Sequence, residues 1–558
     1  MTRAPGESTS ILGSSAVMAA GTVVSRVTGF VRGSLLAAAL GTYLHADLFN
    51  IANTIPNMLY ILLAGGVFNA VLVPQLVRAM RNDADGGEAY TNRIITLAGL
   101  FLAGVTAVLV LAAPVLMQLV LTDQYSTPEL AEQRNSAIDF ARYCLPQVFF
   151  YGMFVLVGQV LNARGRFGPM MWAPIANNVV SVVVLVGYLV AFGPAGSADT
   201  SAYSSSQELL LGLGSTVGIA IQLLVLLPYL RAAGFRYRPR FDFRGSGLGH
   251  TLRLGLWTVL FVVVNQIAYL VVVRLAARGA AEGLGGEPSA GYTVYSQAFL
   301  LVMVPHAIAT VSLATAVLPR LSAHAAEHDL AGVGRRVAST LRTALTLIIP
   351  FSLLLPVLAY EVASIVYGWG AASQSFGEYV APLSWFALGL VFFTVHYLML
   401  RGYYALERTR TVFWVQCVIA AVNIALALVL TRALAPALTP TALVLAYSGA
   451  YAVGACVSYL LLRHLLGGLR TPTLVRFLVR VLVAAGVAAG VAAAVRFGLH
   501  EAWPDAATKL RDVVVLVVTG LVDVTAFLLM ARLLRIEEVT ALVDLVRGRL
   551  RGRGGDLP

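Results

Sequence analysis

Fourteen stretches of this chain are apolar over lengths that would cross a bilayer, and that repetition decides the fold class before any motif is read. They lie near 11–40, 47–77, 94–121, 138–162, 170–193, 208–230, 252–276, 292–318, 340–366, 379–400, 412–433, 441–462, 475–497 and 512–534. Crossing about 30 Å of hydrocarbon takes ~20 helical residues, and each run is long enough to be one membrane-spanning helix. Composition agrees: 39 Lys+Arg and 27 Asp+Glu make 12% of 558 residues, against roughly 25% in ordinary soluble proteins, and the mean hydropathy is +0.80. A soluble enzyme, a disordered chain and a disulfide-rich secreted domain are excluded. The three cysteines, Cys144, Cys417 and Cys456, fall in apolar runs and suggest neither a disulfide framework nor a metal site. Span 1 is not read as a cleaved signal peptide, because it is long, contains Arg26 and Arg32, and leads straight into span 2.

Arginine placement orients the chain, since short cytoplasmic loops collect basic residues. Every second connection is basic: Arg78, Arg81 and Arg93; Arg164 and Arg166; Arg231 to Arg244; Arg320, Arg335 and Arg336; Arg408 and Arg410; Arg463 and Arg470. The intervening connections are charge-poor or acidic, as at Asp123, Glu129 and Glu132. An even number of spans then puts both termini in the cytoplasm. Span 2 ends in Ala70–Leu76 and span 8 in the similar Ala316–Leu321, with Pro74 and Pro319 245 residues apart, as two six-span halves of one topology would require. The expected division is a cytoplasmic N-terminus at 1–10, an N-lobe of spans 1–6 at 11–232, and a basic cytoplasmic linker at 233–251. A C-lobe of spans 7–12 follows at 252–464, then spans 13 and 14 at 465–535, then a basic cytoplasmic tail at 536–558. The fold class is therefore an all-α polytopic membrane protein with 14 transmembrane helices: two pseudo-symmetric six-helix lobes around a central cavity, plus two C-terminal helices.

Within the spans, the costly residues carry the functional signal. Arg26 and Arg32 lie inside span 1, where each arginine costs ~2.5–3.5 kcal/mol at mid-membrane. One reading has them snorkel or cap neighbouring helices. The other has them line a water-filled cavity between the halves and bind an anion, since a guanidinium matches phosphate oxygens bidentately. On a straight helix they point about 120° apart, and Gly29 between them would permit a bend. Span 2 offers Asp47, Asn53, Pro56, Asn57, Gly65, Gly66 and Asn69, either a kinked helix with small-residue contacts or a hinge whose asparagines meet a polar headgroup. Arg274 is the best third arginine. Asn162, Asn177, Asn178, Asn265, Gln266, His306, Glu361, His396 and Asp523 read singly as interhelical hydrogen-bonding groups. His324-Ala325-Ala326-Glu327-His328 matches an inverted zinc-peptidase pattern, but lies in a basic connection and reads as a solvated amphipathic helix. Lys509 is the only lysine, so no G-x-x-x-x-G-K-[ST] loop exists and ATP hydrolysis by that route is excluded.

Several of these motifs, in order, resemble the MurJ (MviN) lipid II flippase family of the multidrug/oligosaccharidyl-lipid/polysaccharide (MOP) superfamily. They are Gly21 to Arg32, Ala46-Asp47, Ile55-Pro56-Asn57, Gly66 to Ala70 with Val73-Pro74, Leu161-Asn162 through Arg166-Phe167 to Ala173-Pro174 and Asn177, and Tyr404-Ala405 with Thr411. The resemblance implies a two-lobed bundle with a central cationic cavity, moving an undecaprenyl-pyrophosphate-linked peptidoglycan precursor outward by alternating access, without catalysis. It implies a bacterial cytoplasmic membrane location, a lipid-tail groove at spans 13 and 14, and headgroup binding by Arg26 and Arg32. Arg274, Asn53, Asn57 and Asp47 are grouped with them as candidates, with Gly29, Pro56, Gly65 and Gly66 as hinge or packing positions. The chain departs from many relatives at Tyr60, Ile61 and Leu300, where they carry arginine, which leaves its cavity less cationic, and at Gly65, where they carry an acidic residue. No cofactor is expected. The driver is read as membrane potential or a coupling cation, and the partners as lipid II, anionic lipids at the cytoplasmic face and the cell-wall synthesis machinery, with no nucleic acid. The chain is expected to be a monomer. A flippase for another polyprenyl-pyrophosphate oligosaccharide, a drug exporter and a membrane enzyme of polyprenyl-phosphate metabolism are the competing readings.

Overall fold

The computed structural model describes residues 5–62, 76, 79–80, 85–196, 199–242, 248–283, 289–503 and 509–540. Every regular element among them is helical. In chain order these are α1 (Pro5–Leu40), α2 (Leu44–Ile61), α3 (Glu88–Leu111), α4 (Ala113–Val120), α5 (Ala131–Cys144), α6 (Gln147–Ala163), α7 (Gly168–Phe192) and α8 (Ser205–Ala232). There follow α9 (Leu248–Glu282), α10 (Tyr292–Ala326), α11 (Leu330–Tyr367), α12 (Val380–Ala405), α13 (Thr409–Ala433), α14 (Thr439–Leu465), α15 (Thr471–Ala502) and α16 (Lys509–Leu533). Twelve helices among the described residues are long and apolar enough to cross a membrane. The two remaining expected spans coincide with α1, which carries Arg26 and Arg32, and with α2. The protein is an integral membrane protein.

Prolines break or widen the helices where the missing N–H requires it. Pro114 is the second residue of α4, two residues after the break at Ala112, and Pro146 separates α5 from α6. Pro305 precedes a π-helical turn at His306–Thr310 within α10.

The chain forms two compact units: residues 1–293 with 369–375 and 435–439, and residues 294–368 with 376–434 and 440–558. Helix α9 therefore belongs to the first unit. In that unit a core of Leu102, Phe154, Leu161, Leu226 and Phe235 joins α3, α6, α8 and the segment after α8. Lipid tails are as apolar as leucine, so close backbone approach rather than hydrophobicity holds such helices together. Gly152 faces Leu102 so closely that an added Cβ would collide with it.

The start of the basic linker is fastened to α3. The N–H of Arg238 donates to Asn92 Oδ1 at 2.7 Å, the N–H of Arg240 to Thr96 Oγ1 at 3.1 Å, and Arg93 pairs with Asp242. Hydrogen bonding from the Arg93 guanidinium holds the Asp242 carboxyl down at about 2. A depressed carboxyl contributes above its ordinary pKa and loses that contribution only as the pH falls through the lower value. Hydrogen exchange at the Arg238 and Arg240 amides should accordingly show protection that does not change in strength between about pH 5 and pH 8; protection lost within that window would contradict the attachment.

In the second unit, α15 and α16 pack on each other and on α11. Glu361 of α11 is wholly buried, and its Oε1 accepts from Arg496 Nε at 2.9 Å and lies 2.8 Å from His500 Nε2. Ser364, one turn on, donates to Asp512 and receives Lys509 Nζ at both its carbonyl (2.6 Å) and its hydroxyl (2.9 Å). Removing one member strands the other charge. Glu361→Ala should lower stability by about 2–3 kcal/mol, less than for a fully enclosed pair, because Arg496 keeps 31% of its side chain exposed. An unchanged thermal unfolding midpoint in detergent would show that α15 is held by something else.

Candidate functional site

Helix α1 continues unbroken through Gly29, so Arg26 and Arg32 stand ~9 Å apart along its axis and point about 120° apart. An added Cβ at Gly29 would meet only Asn178 Nδ2, at 3.8 Å, an ordinary contact. Arg26 is exposed and Arg32 half-buried. Among the described residues neither forms an ion pair. The turn that carries Arg26 is fixed from α7, where Asn178 Nδ2 donates to Ser25 O at 3.0 Å and to Thr28 Oγ1 at 2.9 Å. The far end of α1 is fixed too. Thr42 Oγ1 donates to Ser375 Oγ at 2.7 Å, and Gly370, at φ +51°, lies where a Cβ would strike the Ala38 carbonyl.

Helix α2 is tied to α9 and to the start of α10 by a ladder of polar contacts. Asn50 Nδ2 donates to Thr293 Oγ1 at 2.9 Å, Tyr292 OH lies 2.6 Å from both Thr54 Oγ1 and Tyr269 OH, and Gln266 Nε2 donates to Met58 O at 3.1 Å. At the head of this ladder is Asp47, fully buried, which accepts the Tyr292 and Thr293 N–H groups on its two oxygens at 2.7 Å each. A carboxylate at a helix N-terminus satisfies orphan donors and meets the positive end of the helix dipole. Gly291 has no room for a Cβ, which would collide with Asp47 Oδ2 and the Ala276 carbonyl.

Arg274 also serves backbone. Its Nη1 donates to the carbonyls of Gln118 (3.0 Å), Leu119 (2.8 Å) and Leu121 (2.8 Å), closing the C-terminal end of α4, and Nη2 lies 3.5 Å from Asp123. Of the other expected residues, Asn53 Oδ1 accepts from Gln147 Nε2 at 2.9 Å, Asn57 is exposed, and Pro56 lies inside α2. Gly65 and Gly66 lie outside the described residues, as does most of the Ala70–Leu76 repeat. Arg26, Arg32 and Asn57 thus present accessible polar groups, whereas Asp47 and Arg274 are occupied by main chain.

Other polar groups make interhelical contacts: His306 Nδ1 lies 3.2 Å from Thr394 Oγ1, and His396 Nδ1 3.0 Å from Ser458 Oγ. His324 of the zinc-like pattern points elsewhere, its Nδ1 3.2 Å from Asp329, the residue whose carboxylate caps α11 by accepting from Gly332 N. One arginine was passed over in the sequence. Arg401 lies one residue beyond the expected end of span 10, but α12 continues to Ala405, which places it inside the helix with its guanidinium over Tyr397.

The model of the lipid II flippase MurJ family matches residues 36–509. The chain belongs to that family. It is 26% identical over 411 residues to a probable lipid II flippase MurJ of Rhizobium tropici, covering 73% of each protein. A solved structure titled as the lipid II flippase MurJ in an inward closed conformation shares the fold, with a TM-score of 0.70 at 16% identity over 92% of this chain and 98% of that one. A MATE-family multidrug resistance transporter of the MOP superfamily matches less well, with a TM-score of 0.58 at 14% identity over 81% of this chain and 95% of that one. The MurJ family match begins four residues after Arg32, so any role for the two arginines rests on their own placement.

The structural role of Asp47 can be separated from ligand binding. Asp47→Ala should lower the thermal unfolding midpoint in detergent by several degrees, through loss of a cap worth about 1–2 kcal/mol, and Gly291→Ala should do at least as much. Asn57→Ala, at an exposed position, should leave it unchanged. A midpoint unmoved by Asp47→Ala would return that residue to the ligand set.

Proposed function

We propose that this chain is a lipid II flippase of the bacterial cytoplasmic membrane with both termini in the cytoplasm. It carries the undecaprenyl-pyrophosphate-linked peptidoglycan precursor from the inner to the outer leaflet by alternating access. The observation that carries this reading is the pair Arg26 and Arg32, two guanidinium groups deep within α1 that no described carboxylate neutralises. A permanent cation held in a membrane helix is stabilised when an anionic ligand is present, and a pyrophosphate offers the oxygens that a guanidinium fits best. Asn57, and Asn53 once released from Gln147, complete the proposed headgroup contacts. Asp47 and Arg274 serve instead as supports.

The polar headgroup crosses along these residues while the polyprenyl tail stays in lipid, so the tail never enters water. The outer face of α15 and α16 suits that tail. Val479, Leu482, Val517 and Leu521 are exposed there, and a Cβ added at Gly486, Gly490 or Gly520 would meet nothing. No bond is made or broken. With no nucleotide-binding loop, the driving energy comes from the membrane potential or from a cation gradient, acting on a protein that works as a monomer. Another polyprenyl-pyrophosphate oligosaccharide would present the same anion and is the nearest competing substrate. A drug exporter for cations would need free carboxylates along α1 and α2, and apart from Glu7 in the first turn of α1 the one carboxylate of those helices, Asp47, is committed to the N-terminus of α10.

Cells depleted of their native flippase and supplied with this chain should regain lipid II on the outer face, detected by a lipid II-specific probe. Arg26→Ala and Arg32→Ala should each abolish that recovery at unchanged membrane levels, and His324→Ala should be silent. A well-expressed wild-type chain that restores nothing would sink the lipid II assignment. Arginine variants that transport normally would sink the anion argument.

A further inference from the structure

Among the described residues the second compact unit contains a cation, Arg401, that is paired with no carboxylate. Arg401 lies four residues before the end of α12, with its Cζ 4.3 Å from the ring centroid of Tyr397 and 5.8 Å from that of Tyr404. No ion pair among the described residues includes it, and its buried Nε has no hydrogen-bond partner. A cation–π contact offsets only part of the unfavourable placement of a guanidinium and an unsatisfied donor in an apolar bundle.

The geometry states what is missing. Stacking on a ring covers the flat face of a guanidinium and leaves its N–H edges, which lie in the plane, open for a bidentate anion. The surroundings are preorganised on one side. His306 packs on Tyr397 and Phe393, with ring centroids 4.8 and 4.7 Å away, and belongs to the π-helical turn that follows Pro305. Such turns recur at functional sites, because they place one side chain out of helical register.

We propose that Arg401, seated on Tyr397 and Tyr404, binds a phosphate oxyanion of the polyprenyl-pyrophosphate substrate from within the second unit. The inference rests on the flippase reading above. In the orientation proposed there, the connection after α12 that carries Arg408 and Arg410 is cytoplasmic. Arg401 then lies ~6 Å inside that end of the helix, on the side from which the substrate is loaded. A bilayer phospholipid carries the same phosphate chemistry, and the test separates the two sources.

The full chain in phosphatidylcholine nanodiscs is titrated with undecaprenyl pyrophosphate, undecaprenol and phosphatidylglycerol. Wild type is expected to bind the pyrophosphate and not the alcohol. Arg401→Gln should weaken pyrophosphate binding roughly ten- to hundredfold, Arg401→Lys should fall between, keeping the charge but not the planar fork, and phosphatidylglycerol binding should not change in either. Equal pyrophosphate affinity in wild type and Arg401→Gln overturns the inference while leaving the flippase reading intact, because Arg26→Ala tests that reading in the same titration. A loss confined to phosphatidylglycerol overturns the substrate assignment in favour of a bilayer lipid, and a wild type that binds no undecaprenyl pyrophosphate overturns both readings. Should Arg401→Gln fail to fold, Arg401→Lys decides, and wild-type affinity in that variant overturns the bidentate contact.

Discussion

Hydrocarbon offers no hydrogen bonds, so each polar group taken into it must find a partner within the protein. The backbone meets this demand because every regular element among the described residues is helical, and the side chains meet it by pairing across helices. Asn178 reaches the backbone of α1, Arg274 the last carbonyls of α4, Asp47 the first amides of α10, and Glu361 the paired bases of α15. In an apolar solvent these contacts fix register and orientation, which burial of leucine and valine cannot do, since lipid receives those residues equally well.

Against that background the groups left over are informative. Arg26, Arg32 and Arg401 are cations to which the described structure gives no carboxylate. A chain that satisfies Asp47 twice and Arg274 three times over does not lack the means to neutralise an arginine. In the reading proposed above these three await something outside the fold, and a phosphorylated lipid is the ligand whose chemistry they would share.

The sequence disclosed the spans, because a run of apolar residues long enough to cross a bilayer can hardly be mistaken, and it disclosed Arg26 and Arg32, because a mid-span arginine is expensive wherever it points. It concealed what depends on distant partners. Asp47 and Arg274 read as ligand candidates alongside Arg26, and only the position of Tyr292 and of the α4 carbonyls shows which main-chain groups they hold. Arg401 was hidden by a boundary: hydropathy ended span 10 at residue 400, whereas backbone hydrogen bonding carries α12 on to Ala405. The fastening of 238–242 to α3 was equally hidden, since two of its donors are main-chain amides that any residue would supply.

The chain's single lysine gives one of these contacts a practical use. Lys509 is the first residue of α16, and its ammonium group rests on Ser364 of α11, 5.0 Å from the ring of Phe376. Reagents that acylate amines modify most proteins at many side chains. Here they find one, at the join between the C-terminal helix pair and α11, so the rate of its modification is a built-in gauge of whether that pair is docked, readable in the native sequence without an introduced probe.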